Sequence, residues 1–138
     1  MRLLAAWAAA GLLFVSYPSQ AQNATDIAAA CAALDGALIV ADDGHFLGKL
    51  ANEFDSDSIF NEFGKGNEFG SDSIWNDFSR YGGDIGSMSA FDTTASRPPM
   101  LIKNRQVIGA LTANKAIANR VDPIRVARIC YQFKPPNH

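Results

Sequence analysis

A twelve-residue segment rich in aspartate, serine and asparagine occurs twice in this chain. Residues 52–63 read Asn-Glu-Phe-Asp-Ser-Asp-Ser-Ile-Phe-Asn-Glu-Phe, and residues 67–78 read Asn-Glu-Phe-Gly-Ser-Asp-Ser-Ile-Trp-Asn-Asp-Phe. Nine of the twelve positions are identical. Carboxylates and hydroxyls at a repeated spacing suit three kinds of chemistry, namely cation binding, hydrogen bonding to sugars and acid–base catalysis.

Calcium binding is the first of these possibilities, because Asp55, Asp57, Asn61 and Glu62 lie close together in sequence. The order of the oxygen ligands differs from that of an EF-hand loop, and the second copy has Gly70 where the first has Asp55. Side chains that cap local turns explain both copies without an ion, and no cofactor or metal is expected. The predicted caps are Asp57, Asp72, Ser58 and Ser73. A calcium-stabilised domain is kept as an alternative.

Aromatic residues are interleaved with these polar ones, eight of them within residues 54–91. Rings beside Asp and Asn can stack on sugars, whereas rings in a region without regular periodicity can also form its core. The pairs that recur unchanged (Phe54/Phe69, Ile59/Ile74 and Phe63/Phe78) are expected to be buried. Phe60/Trp75 varies in size and is the pair expected to be exposed. The candidate binding residues are Phe60, Trp75, Asn61, Asn76 and Tyr81.

The support for an enzyme is weaker. Asp57 and Asp72 could act as a glycosidase pair at a suitable separation, so a small hydrolase is kept as an alternative. His45 lies in a predicted hairpin turn and is expected to be solvated, and no serine-nucleophile motif is present. No catalytic residue is assigned.

The first residues indicate export. Met1-Arg2 supplies a positive charge, residues 3–15 are apolar, and Ser19-Gln20-Ala21 suits cleavage after Ala21. We therefore predict a signal peptide at 1–21 and a single exported domain at 22–138, in the periplasm or secreted. No transmembrane segment is expected after cleavage.

In an oxidising compartment, the only two cysteines, Cys31 and Cys130, are predicted to form a disulfide. Residues 52–92 carry nine acids and two bases, whereas residues 97–138 carry eight bases and one acid. We expect the basic part to pack near the acidic repeats, and the alternative is a basic face for anionic polymers or lipids. Export, and the absence of aromatic residues interleaved with the basic ones, argue against nucleic acid.

The elements that would position the repeats are short. Thr25-Asp26 is expected to cap a helix through residue 34, and Asp122-Pro123 to begin another. Two hairpins, at 37–50 and 100–111, carry Gly48 and Gly109 at matching places, which suggests a bulge or a close backbone approach. The expected fold is α+β: a small antiparallel sheet from two related hairpins, short flanking helices, and a long irregular repeat-containing loop region inserted at about 52–92.

The run Phe46-Leu47-Gly48-Lys49-Leu50, the Asp-Ser-Ile-x-Asn segments, Pro98-Pro99 and Ile108-Gly109-x-Leu111-Thr112 together resemble a family of small exported bacterial proteins of unknown function. That family carries Tyr-Leu-Gly-x-Leu and Asp-Ser-x-x-Asn-x-Tyr-Gly-x-Tyr-Gly repeats. The resemblance covers about residues 37–123 and implies no catalytic residue.

These observations predict an exported, non-enzymatic binding or structural module. Its partner is unknown, and a cell-envelope glycan or another envelope protein is the expected class.

Overall fold

The computed structural model describes residues 19–138, with side chains from residue 23 onward. The predicted signal peptide lies outside these residues, apart from the helical backbone at 19–21. The elements in chain order are α1 (Ser19–Leu34), β1 (Leu38–Val40), β2 (Phe46–Lys49), β3 (Met100–Lys103), β4 (Gln106–Leu111), β5 (Arg120–Val121) and α2 (Pro123–Tyr131). In the part of the chain described, no helix is both long and apolar enough to cross a membrane.

The five strands form one sheet in the order β2-β1-β3-β4-β5, so the chain is α+β as expected. The pairs β1–β2, β1–β3 and β3–β4 are antiparallel, but β4 and β5 run parallel. The expectation of a purely antiparallel sheet is therefore wrong. The cause is the two-residue strand β5, which the chain reaches after β4 through the loop at 112–119 and which pairs Arg120 with Ala110. That the two hairpins are related to one another stays a prediction.

Both hairpin glycines lie where the backbone of another segment approaches closely. The register shifts beside Gly48 in β2 and beside Gly109 in β4. A Cβ atom on Gly48 would lie 2.8 Å from the carbonyl oxygen of Asp57, and one on Gly109 would lie 2.6 Å from that of Asn119. Gly48 also has a φ of +128°, which side-chain-bearing residues rarely adopt. These glycines therefore let the repeat region and the loop before β5 dock directly on the sheet.

The two helices are joined by the predicted disulfide. Cys31 of α1 and Cys130 of α2 are bonded, with their Cα atoms 5.4 Å apart. Helix α2 begins as expected, since the Asp122 carboxylate accepts hydrogen bonds from the amides of Ile124 and Arg125 and Pro123 occupies the first turn. Helix α1 begins at Ser19, before the expected cap at Thr25-Asp26, so those two residues lie inside the helix.

The core lies between the sheet, α2 and the repeat region. Sheet residues such as Ile39, Leu47 and Leu101 are fully buried and belong to the same cluster as Ile59 and Trp75 of the repeats. The repeat region is consequently part of the folded core.

Candidate functional site

The repeats fold as a series of linked turns with a period of three residues. From residue 52 to residue 82, every third amide donates to the carbonyl oxygen three residues earlier, which gives ten consecutive bonds of 3.0–3.3 Å. We call residues 52–82 the turn ladder, and residues 52–66 and 67–81 its first and second repeats. Each repeat contains five three-residue steps. The ladder thus satisfies much of its backbone locally, as an irregular segment must when part of it is buried.

The first residue of nearly every step holds its turn with a side-chain oxygen. Eight of the ten steps begin with Asn, Asp or Ser, and that side chain accepts a bond from the amide two residues later. The other two steps begin with Gly64 and Gly70. This pattern is the local capping that makes these residue types common in turns.

Two of the four predicted caps act in this way. The Ser58 and Ser73 hydroxyls accept from the amides of Phe60 and Trp75, at 3.0 Å and 3.1 Å. The Asp57 and Asp72 carboxylates accept no hydrogen bond within the described residues, because each is the third residue of its step. Asp55, the first residue of the step that contains Asp57, supplies the cap there.

The side chains of Asn61 and Asn76 form hydrogen bonds within the turn ladder. The Nδ2 of Asn61 donates to the carbonyl of Asp55, and that of Asn76 donates to the carbonyl of Gly70. Their Oδ1 atoms accept from the amides of Phe63 and Phe78. Neither asparagine has a positive φ. Their side chains are occupied within the fold.

The buried and exposed aromatic residues are the reverse of those expected from the sequence. Phe60 is 2% exposed and Trp75 is fully buried, whereas Phe54, Phe63, Phe69 and Phe78 are 87%, 100%, 81% and 99% exposed. Phe60 and Trp75 end the step that begins with the buried Ser58 or Ser73, and that step faces the core. The expected exposure of Phe60 and Trp75, and the expected burial of the recurring phenylalanines, are therefore wrong.

Trp75 is at the centre of a cluster of rings. Its ring centroid lies 6.4 Å from that of Phe60, 5.8 Å from that of Phe91 and 5.4 Å from that of Phe133. Its Nε1 donates to the carbonyl oxygen of Ile59 in the first repeat at 2.5 Å. A buried ring held in this way links the two repeats and presents no surface to a ligand.

The edge strand β2 positions the ladder. The Lys49 amide donates to the carbonyl of Asp57 at 2.8 Å, and the Ile59 amide donates to the carbonyl of Lys49 at 3.1 Å. Lys49 and Ser58 form a parallel bridge there. The ladder covers the edge of the sheet, and the other side of its steps faces water.

A cleft of about 560 Å³ lies on this outward side of the second repeat. Phe69 and Phe78 line it together with Asp72 and Arg80, and the hairpin turn contributes His45. Of the candidate binding residues, Asn76 and Tyr81 also line this cleft, whereas Phe60, Trp75 and Asn61 do not.

Asp43 contacts three of the polar residues that line the cleft, namely Tyr81, His45 and Arg80. The Tyr81 hydroxyl donates to its Oδ2 at 2.7 Å, and the Nδ1 of His45 lies 3.2 Å from its Oδ1. Arg80 approaches Oδ2 at 3.9 Å. The Tyr81 hydroxyl, with smaller contributions from His45, holds the pKa of Asp43 below its usual value. Burial, followed by the bond to Asp43, raises the pKa of Tyr81 to about 12. A charged carboxylate thus fixes the tyrosine and the imidazole.

The ladder carboxylates are not arranged as a metal site in the part of the chain that the structure describes. Within the described residues, no group of three or more His, Cys, Asp or Glu side chains is placed to hold a metal ion. Asp55 instead pairs with Lys49 at 2.6 Å, and this contact lowers the pKa of Asp55 and raises that of Lys49.

The expected charge pairing between the basic C-terminal part and the acidic repeats is limited. Of the eight bases in residues 97–138, Arg97 and Arg120 form ion pairs in the described structure, with Asp42 and Asp122. Both acids lie outside the repeats. The ladder carboxylates are therefore not paired with these eight bases. Asp55 pairs instead with Lys49, and Asp77 lies 3.9 Å from the Nε2 of His138.

Phe69 and Phe78, which dominate the cleft, are the site residues that sequence reasoning missed. The signal that could have found them is the recurrence of Asn, Asp or Ser at eight of the ten third-residue positions from Asn52 to Ser79. It divides each repeat into five steps that cannot all face the sheet.

Comparisons of the chain with protein-family models, with curated proteins and with solved structures find no match. The resemblance stated from the sequence therefore stays a prediction.

Proposed function

We propose that this chain is an exported, non-enzymatic module that binds carbohydrate of the cell envelope at the Phe69–Phe78 cleft. The observation that carries the proposal is that two almost fully exposed phenylalanines line a cleft with fixed polar groups at one end. Burying a phenylalanine ring contributes about 1.5–3 kcal/mol, so a ligand that covers both rings gains a sizeable favourable binding free energy. Isolated exposed apolar residues are common, but exposed rings beside a polar cleft are typical of a binding surface.

The composition of the cleft favours sugar over a flat apolar partner. The rings of Phe69 and Phe78 can pack against the CH faces of a sugar, and Asp72 and Arg80 can accept from and donate to its hydroxyls. Asp43 holds Tyr81 and His45 in place, so little side-chain ordering is needed when a ligand binds. The disulfide between Cys31 and Cys130 is consistent with export to an oxidising compartment, where such ligands occur.

The proposal is tested by titrating soluble glycans and peptidoglycan fragments into the purified chain by calorimetry. Phe69→Ala and Phe78→Ala should each weaken binding about tenfold, which corresponds to about 1.4 kcal/mol. The matched control is Phe54→Ala, which removes the exposed ring at the same repeat position as Phe69 but does not line the cleft. Its affinity should be unchanged. Glycan binding that is equal in all three variants and the parent would contradict the proposal, and so would the absence of glycan binding.

Hydrolysis at the same cleft is the second candidate function. His45 is about half exposed, lines the cleft and is oriented through Nδ1 by Asp43, which is an arrangement that a general base uses. Product analysis after incubation with the bound glycan separates the two functions. A binding module leaves the glycan intact, whereas a hydrolase cleaves it and loses cleavage in His45→Ala while still binding it.

A further inference from the structure

The Phe69–Phe78 cleft is the middle one of three neighbouring clefts that share their walls. Phe69 also lines a cleft of about 420 Å³, together with Phe63. Phe78 also lines a cleft of about 540 Å³ that includes Ile85. We call the three clefts together the ring row, with Phe63, Phe69, Phe78 and Ile85 as its walls. All four walls are at least 81% exposed.

Two of the walls, Phe63 and Phe78, come from equivalent positions of the two repeats. Phe63 and Phe78 end the fourth step of the first and second repeats, and Phe69 ends the first step of the second repeat. The ring row therefore presents similar chemistry more than once across its adjoining clefts. A ligand that uses all of it must itself repeat, because each cleft offers a ring and a carboxylate in turn.

The negative charge along the ring row disfavours anionic polymers as ligands. The acids that line the three clefts are Glu62, Glu68, Asp72, Asp77 and Asp84. The bases are Arg80 and Lys134, and Arg80 is partly balanced by Asp43. This excess of negative charge repels polyanions and favours neutral or positively charged groups.

We infer that the ring row binds a linear polysaccharide of neutral or amine-bearing sugar units, which spans more than one cleft. The inference rests on the proposed function and adds the polymeric form and charge class of the ligand. Units bound in adjacent clefts act as linked ligands, so the affinity for a long oligomer exceeds that for a single unit without any new kind of contact.

The test is a calorimetric titration with β-linked oligomers of glucose, N-acetylglucosamine and glucosamine from one unit upward, and with oligogalacturonate as the anionic series. For at least one neutral or amine-bearing series, affinity should rise about tenfold or more from the monomer to the trimer and then level off. Oligogalacturonate of the same length should bind at least tenfold more weakly than that series.

Variants identify the shared walls. Phe69→Ala, which removes a wall between two clefts, should reduce the affinity for long oligomers by a larger factor than that for the monomer. Phe54→Ala lies outside the ring row and should change neither. Circular dichroism confirms that each variant is folded.

The outcomes distinguish this inference from the proposed function. Ring-dependent glycan binding that is equally tight for monomer and trimer would overturn the inference and leave the proposed function standing. Tighter binding of oligogalacturonate would overturn the inference in the same way. If no glycan bound in a way that depends on Phe69 and Phe78, both the inference and the proposed function would be overturned.

Discussion

Replacing Trp75 with alanine tests whether the inward rings of the turn ladder hold the fold together. The side chain is fully buried among Phe60, Phe91 and Phe133. Truncation of a buried aromatic residue typically costs about 3–5 kcal/mol. Total stabilities of domains are about 5–15 kcal/mol, so this single change removes a large part of the free energy of unfolding. For a domain of this size we expect the melting temperature to fall by roughly 10–20 °C.

Trp75→Phe separates the ring from its hydrogen bond. Phenylalanine fills the equivalent position of the first repeat, but it cannot donate to the buried carbonyl of Ile59. An unsatisfied buried acceptor costs about 1–3 kcal/mol, so this variant should be intermediate between the parent chain and Trp75→Ala.

Urea unfolding followed by far-ultraviolet circular dichroism measures these differences, and Phe78→Ala is the matched control. Phe78 follows Trp75 in the same repeat but is almost fully exposed, so its loss should change stability by about 0.5 kcal/mol or less. The reasoning is refuted if Trp75→Ala costs less than about 1 kcal/mol, or if Phe78→Ala destabilises the chain as much as Trp75→Ala does.

Three further changes probe the scaffold. Gly48→Ala should destabilise the chain by about 2–4 kcal/mol in urea unfolding, because its Cβ would clash with the ladder backbone. The control Gly44→Ala, whose Cβ would meet nothing within 4 Å, should cost about 1–2 kcal/mol. Equal costs for the two variants would contradict the close docking of the ladder on Gly48. Replacing both Cys31 and Cys130 with alanine should cost about 2–5 kcal/mol and lower the melting temperature, and an unchanged melting temperature would show that the cross-link does not constrain the chain. Because the pKa of Tyr81 is raised in the folded chain, its protonated hydroxyl stabilises the fold at pH values below the ordinary tyrosine pKa of about 10. This stabilisation is lost as pH rises through about 12. The stability advantage of the parent chain over Tyr81→Phe should therefore narrow across that range in pH-dependent melting, and a constant difference would exclude this linkage.

Features set by neighbouring residues in sequence could be predicted here. Helix α2 follows from Asp122-Pro123, because a carboxylate cap and a proline in the first turn act within a few residues. The disulfide follows from having only two cysteines in a chain predicted to be exported. Capping by Ser58 and Ser73 is also local, since each hydroxyl reaches the amide two residues later.

Features set by contacts between distant segments could not be predicted in the same way. The parallel pairing of β5 rests on two residues, too few for any periodic pattern. The direction in which each ladder step faces depends on the docking of Lys49 against Ser58, which fixes the ladder relative to the sheet. Identity between the repeats does not reveal this orientation, because exposed and buried positions are duplicated alike.

The turn ladder has a physical property that suits it to display side chains. Its backbone bonds join the first residues of consecutive steps, and its caps come from the side chains of those first residues. The side chain of the third residue is therefore free to face either the core or water. Inward rings such as Trp75 anchor the ladder, and outward rings such as Phe78 are held in place by the same turns without contributing to the core. Substitution of an outward ring should therefore change recognition at little cost in stability, whereas substitution of an inward ring should do the reverse. Independent variation of these two properties follows directly from the three-residue period, and a binding site on the outward side of the ladder can be altered one ring at a time.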